Sequence, residues 1–337
     1  MMAVDGLGLA IGIRERYRDV VSDRWPVIVA PQRDELLSSW LHRIAFANGI
    51  APRPFARVLG LTAGMWSASL DLRLPADVAT LLHAHTGISQ HQLSAMSLTG
   101  SPLKPLLLPL RNNGRRDGST WLQFCSRCLA EDTQPYFRRR WRLATRVSCS
   151  KHGYRLRDRC PSCRSRIAAF DQTELVPQHH CVRCGYDLRR ASTIAVSPAT
   201  GRLDRCADDI CRLESMTGSL SSTLVRRLLT VPNIAGIYPR RPLISLSTSV
   251  RIRCFERLAN RPTDWLTIDD DVVVAHCRRS ILLAGGHGPL IEGLADALEQ
   301  RRQGSIAGYR CMPTAELSAL LGAYAQVMER ARRRSND

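Results

Sequence analysis

Apolar residues recur at helical spacing in "RDELLSSWLHRIAFANG", residues 33–49, where Leu36, Leu37, Trp40, Leu41, Ile44 and Ala45 share one face. Asp34 stands where an N-cap belongs, and Gly49 lies just past the expected end. The stretch "PADVATLLHAHTGISQHQLSAMSL", residues 75–98, predicts helix, short turn, helix. Gly87 supplies a turn position that needs positive φ, and Ser89 caps the second helix. Leu82, Ile88, Leu93 and Met96 supply the contacts between the two. This is a helix-turn-helix pattern, with His83 where such motifs usually carry a small residue. Amphipathic spacing returns in 222–231, 249–260, 288–302 and 313–334. The fold expected is mainly α. A lead-in segment (1–25) precedes an N-terminal helical domain with the helix-turn-helix (26–118). A central tandem zinc-knuckle module (119–195) and a C-terminal helical domain (196–337) follow. "RNNGRRDGST", residues 111–120, reads as a basic linker.

In the central module the helical period gives way to cysteine pairs. Cys125/Cys128, Cys149/His152, Cys160/Cys163 and Cys181/Cys184 each enclose two residues. A C-x-x-C turn puts two sulfurs on one side, about one edge of a metal tetrahedron apart. The intervals of 20 residues from Cys128 to Cys149 and 17 from Cys163 to Cys181 suit two turns folding back on one ion, whereas only 7 residues separate His152 from Cys160. Serial pairing, Cys125/Cys128/Cys149/His152 and then Cys160/Cys163/Cys181/Cys184, closes the shorter loops and costs less entropy. An interleaved arrangement of first with third and second with fourth is the alternative left open at this stage. Sulfur and imidazole donors in fours select zinc, and two ions with four protein ligands each are structural, since no position remains for an activated water. Gly185 relieves the last turn, His179 and His180 are read as bystanders, and Cys206, Cys211, Cys254, Cys277 and Cys311 as ordinary thiols.

Charge adds a partner class. Lys and Arg outnumber Asp and Glu 48 to 30 over 337 residues, a net +18, and only Lys104 and Lys151 are lysines. From Arg111 to Arg166 there are 15 basic residues against 4 acids. Such an excess fits a polyanion, most simply nucleic acid. Arg138, Arg139, Arg140, Arg142 and Arg146 in "YFRRRWRLATR" are the expected phosphate contacts, with Tyr136, Phe137 and Trp141 expected to pack beneath the zinc knuckles. No apolar run reaches the length of a membrane helix and no secretory leader is recognisable, so a cytoplasmic, nucleoid-associated bacterial protein with reduced thiols is expected.

The segment "PQRDELLSSWLHRIAFANGI" resembles the opening motif of the TniQ family of transposition target-selection proteins, in Pro31, Glu35, Ser39, Trp40, Leu41, Arg43 and Ala45. The order "FCSRCLAED…YFRRRWRL…CSKHGYRLRDRCPSC…CVRCGYDL" is similar to that family's zinc region, including Trp141 and Arg142. The resemblance covers roughly residues 26–190. It implies a non-enzymatic adapter that marks a target and recruits an AAA+ ATPase, which brings the transposase. Some members of that family read DNA directly; others ride on an RNA-guided CRISPR complex with its guide RNA, where they act as dimers. A stand-alone zinc-containing DNA-binding transcriptional regulator is the alternative. An enzyme is not expected: "GGHG" (285–288) lacks the Lys-Ser/Thr end of a P-loop, and Asp269, Asp270 and Asp271 are adjacent rather than drawn from separate elements.

Overall fold

The computed structural model describes residues 24–52, 54–55, 69–98, 103–110, 120–167, 174–216, 222–230 and 242–260. Among them the fold is helical. The helices are α1 (Leu37–Ala47), α2 (Ala76–Thr86), α3 (Gln90–Met96), α4 (Ser126–Glu131), α5 (Pro198–Met216), α6 (Ser222–Leu229) and α7 (Thr248–Leu258). Extended pairing among the described residues is limited to isolated antiparallel bridges such as Phe124 with Arg157 and Ser148 with Arg155. No helix among them is long and apolar enough to cross a membrane.

Helix α1 is more deeply buried than its apolar stripe implies, because Ser38, Ser39, His42 and Arg43 are buried along with Leu37, Trp40, Leu41 and Ile44. Its polar side chains are tied off internally, as buried polar groups must be. Asp71 accepts from the Ser38 N–H at 2.9 Å and from the Ser38 hydroxyl at 2.8 Å. The Trp40 indole donates to the Val29 carbonyl at 2.8 Å. Asp34 is not the N-cap: Leu36 holds that position without a side-chain bond, while Asp34 takes φ 59. Its carboxylate turns instead toward Arg140, and its carbonyl accepts the Arg139 N–H.

Helices α2 and α3 meet at Gly87, the αL cap of α2, whose N–H reaches the His83 carbonyl at 2.8 Å. Ser89 and Gln92 form a reciprocal capping box at the start of α3. Leu82, Leu93 and Met96 join Leu37, Trp40, Leu41, Ile44, Phe55, Leu70 and Val78 in one core, with Ile88 and Trp25 packed against it. Trp25 thus belongs with this core rather than with the lead-in.

A second core runs from Leu36 and Leu106–Leu108 through Trp121–Phe124, Phe137, Trp141, Leu156 and Ile167 to Leu203, Leu228, Leu243 and Phe255. It includes Cys125, Cys128, Cys149, Cys160 and Cys181, with Cys163 packed against it, so most of the paired cysteines are part of the hydrophobic core. It also crosses residue 195 without a break. Helix α5 packs on α7, and α6 on the turns Lys104–Leu106 and Leu243–Ser245. Helices appear where 222–231 and 249–260 predict them; 288–302 and 313–334 lie outside the described residues. Helix α5 escapes the pattern because its buried side carries Thr200 and Asp204. Asp204 accepts from the Ser148 N–H and the Ser148 hydroxyl, each at 2.7 Å.

Candidate metal centres

The eight cysteine and histidine residues of the four pairs gather into two groups in chain order that could each hold a metal ion, Cys125/Cys128/Cys149/His152 and Cys160/Cys163/Cys181/Cys184, with the donor atoms of each group within 4.8 Å of one another. In the first, Cys128 and Cys149 sulfurs are 3.5 Å apart. His152 Nδ1 lies 3.5, 3.4 and 3.5 Å from the sulfurs of Cys125, Cys128 and Cys149. In the second, Cys160–Cys184 and Cys163–Cys181 are each 3.6 Å. Metal–sulfur bonds of about 2.3 Å in a tetrahedron give sulfur–sulfur edges of about 3.8 Å, so both groups fit one ion each. All eight donors are protein atoms, and the cysteines are free thiols rather than disulfides.

Three of the four pairs share one turn. Gly153, Arg164 and Gly185 donate their N–H to the carbonyls of Cys149, Cys160 and Cys181 at 2.8, 3.0 and 2.8 Å. The N–H groups of those same cysteines return to Tyr154, Ser165 and Tyr186 at 2.8, 2.9 and 2.9 Å. The residue after the second ligand sits in αL each time, with φ 66, 61 and 70. Cys125 and Cys128 differ: they begin α4, with Cys125 at its N-cap.

The first centre has a supporting carboxylate that the spacing alone does not point out. His152 Nε2 faces both oxygens of Glu131 at 3.0 Å, while Nδ1 faces the sulfurs. This arrangement fixes the tautomer in which Nε2 carries the proton and Nδ1 is free to bind metal. Glu131 lies one helical turn beyond Cys128, and Lys151 holds it at 2.7 Å. Contacts from Cys125 and Cys149 push the Cys128 thiol strongly up, and contacts from Cys125 and Cys128 pull Cys149 strongly down. Donors this close resist carrying separate charges, and a divalent cation is what allows them all to ionise. In the second centre the Ser165 hydroxyl lies 3.1 Å from both Cys163 and Cys181 sulfurs. His179, His180 and Asp187 form a third cluster. Its carboxylate is occupied by the Arg189 guanidinium at 3.0 and 2.9 Å and by the Arg189 N–H at 3.0 Å.

The arginine run requires a correction. Arg142 and Arg146, expected to contact phosphate, are interior, 0% and 3% exposed. Arg142 meets Asp71 at 3.3 Å and stacks over Trp121, and burial lowers it to about 10; Arg146 meets Asp204 at 3.4 Å. A guanidinium enclosed against a carboxylate does not reach a phosphate outside. Arg138 is bidentate to Asp132 at 2.7 and 3.1 Å and covers Tyr136 and Trp141. Arg139 and Arg140 face Asp34, and Arg139 also donates to the Ala95 carbonyl. The run therefore ties the cysteine-rich part to the N-terminal core and to α5. Phe137 and Trp141 are buried in the shared core, whereas Tyr136 is half-buried and donates to the Arg33 carbonyl.

The residues of the N-terminal motif act at the same seam. Glu35 binds Arg43 at 2.7 Å. Ser39 Oγ accepts the Phe137 N–H at 2.9 Å and lies 3.0 Å from Gln178 Oε1, between the two metal-ligand pairs of the second centre. Arg43 reaches Gln134 at 2.6 Å. From the other side, buried Arg251 of α7 donates to the Ala144 carbonyl and to Gln123. No spacing rule could nominate Gln178, Asp204 or Arg251, because their partners are far away in sequence.

Residues 26–156 match the family model TniQ. Among curated proteins, none matches the sequence.

Proposed function

With a TniQ domain over residues 26–156 as the premise, we propose that the chain is a non-enzymatic, zinc-stabilised adapter in transposition target selection. TniQ is a transposition-associated family, and that match is the observation that carries the reading. In this role the chain engages a target, as DNA directly or through an RNA-guided complex, and recruits an AAA+ ATPase that delivers the transposase. Two zinc ions, one on Cys125, Cys128, Cys149 and His152 and one on Cys160, Cys163, Cys181 and Cys184, hold the part that joins the N-terminal core to α5 and α7. The sulfur and imidazole donor sets and the 3.4–3.6 Å contacts support zinc. Bound zinc supplies folding free energy here, since every donor is a protein atom.

The test has two parts. Zinc-loaded protein is incubated with a randomised DNA pool at two salt concentrations, and separately with AAA+ ATPases of transposition systems in the presence of target DNA. A stable ATPase complex is the expected result. An enriched DNA motif then assigns direct reading, with α2 and α3 as the candidate reader. Absence of enrichment assigns targeting to a partner. Sequence-specific DNA binding with no ATPase complex would replace this reading with that of a stand-alone regulator.

A further inference from the structure

The three shared turns differ in one respect. Their αL position is glycine in two, Gly153 and Gly185, and arginine in the third, Arg164. A Cβ at either glycine would meet nothing within 4 Å, so the backbone angle alone selects glycine there. An L-residue in αL costs roughly 1 kcal/mol. Arg164 bears that cost at an exposed position beside Cys163. A strained non-glycine residue on a surface turn points toward a task for its side chain.

The surroundings give the task its chemistry. Arg166 is exposed two residues on, and Arg183 is exposed inside the opposing turn, next to Cys184. The sulfurs of the two turns are 3.6 Å apart, so these arginines rise from both sides of one small centre. Arg164, Arg166 and Arg183 make no ion pair among the described residues, unlike Arg138, Arg140, Arg142 and Arg146. Arg189 is held by Asp187, while Arg190 is 82% exposed with that carboxylate 3.8 Å away. The acids near this face in sequence are Asp158, Asp171, Glu174 and Asp187.

We propose that Arg164, Arg166 and Arg183, on the two turns of the second centre, form the surface by which this chain grips a nucleic-acid phosphate backbone. The proposal rests on the target-engaging role above and replaces the 138–146 run as the place of contact. Unpaired, exposed guanidinium groups suit phosphodiester oxygens, to which they bond bidentately. The competing assignment is internal: one divalent ion with four thiolates carries net charge −2, and nearby arginines would merely offset it.

Two substitutions copy the sibling turns and separate these assignments. Arg164→Gly reproduces Gly153 and Gly185, and Arg183→Ser reproduces Ser162, its counterpart between Cys160 and Cys163. The full-length double variant is compared with wild type and with Arg202→Ser/Arg253→Ser, an equal loss of charge at exposed helical positions. Binding to duplex DNA is read by fluorescence anisotropy across a salt series, alongside zinc content and melting temperature. The expected variant keeps two zinc ions and an unreduced melting temperature. It binds on the order of tenfold more weakly, with a salt slope smaller by about 2, while the control changes less. Unchanged binding and slope would overturn the proposal and leave an acidic protein surface as the occupant. Loss of zinc would overturn it in favour of the charge-offset assignment. Absence of any binding by wild type, to DNA or to single-stranded RNA, would defeat it together with direct target engagement.

Discussion

The two centres share donor chemistry and differ in setting. The cysteines of the first are buried in the second hydrophobic core, beside Phe124, Leu129 and Val147, and its histidine is steadied by Glu131. In the second, Cys160 and Cys181 are buried, but Cys163 is half-exposed and Cys184 exposed. The difference teaches that the first cysteine–histidine group is part of the core, whereas the second lies at its edge. Around the first, Arg142, Arg138 and Arg146 are turned inward to Asp71, Asp132 and Asp204, although Arg127, between Cys125 and Cys128, is exposed; around the second, Arg164, Arg166 and Arg183 face outward.

The strongest way to break this contrast is to remove a ligand from the first centre. Cys149→Ser should abolish cooperative unfolding of the chain. Structural zinc contributes about 10–16 kcal/mol in small modules, comparable with a domain's whole stability of about 5–15 kcal/mol. Thermal circular dichroism with metal analysis reads the outcome; a cooperative, one-zinc variant as stable as wild type would place the first ion outside the core. Next in size is Asp71→Ala, which strands Arg142 in the interior and leaves the Ser38 N–H without its acceptor. Urea denaturation should show a loss of about 3–5 kcal/mol, the cost of leaving a buried charge unpaired.

Glu131→Gln sharpens the comparison within the first centre. It keeps a hydrogen-bond acceptor for His152 but removes the charge, and zinc affinity should fall about 10- to 100-fold in a chelator competition. The second centre has no histidine for such a partner to orient, so its affinity should stay as it is. Smallest in global effect is Cys184→Ser. One zinc should be lost, and faster hydrogen exchange should stay within about residues 160–190, with melting of the remainder nearly unchanged.

The grouping of the cysteine and histidine pairs was legible because the x-x spacing is itself the local geometry: a turn that brings two donors together needs nothing from elsewhere in the chain. Gly87, Ser89 and Gly185 were legible for the same reason. The arginine run was not, because the partners of Arg142 and Arg146 are Asp71 and Asp204, 71 and 58 residues away. Net charge reports how many cations exist and says nothing of which carboxylates fold against them. Glu35, Ser39 and Arg43 stood out through the family resemblance, and their physical work, joining α1 to Phe137 and Gln134, needed the tertiary structure. Asp34 misled because a residue favoured at caps is favoured equally in αL turns.

Pairing of the ligands in chain order is the central claim, and cobalt substitution tests it most directly. Wild type should bind two Co²⁺, one with three thiolates and an imidazole and one with four thiolates, distinguishable by their ligand-field and charge-transfer bands. In Cys181→Ser, serial pairing leaves intact the centre of Cys125, Cys128, Cys149 and His152, so the surviving spectrum should be that of the imidazole-containing site. A surviving four-thiolate spectrum would mean that Cys181 shares its ion with His152, and would contradict the account.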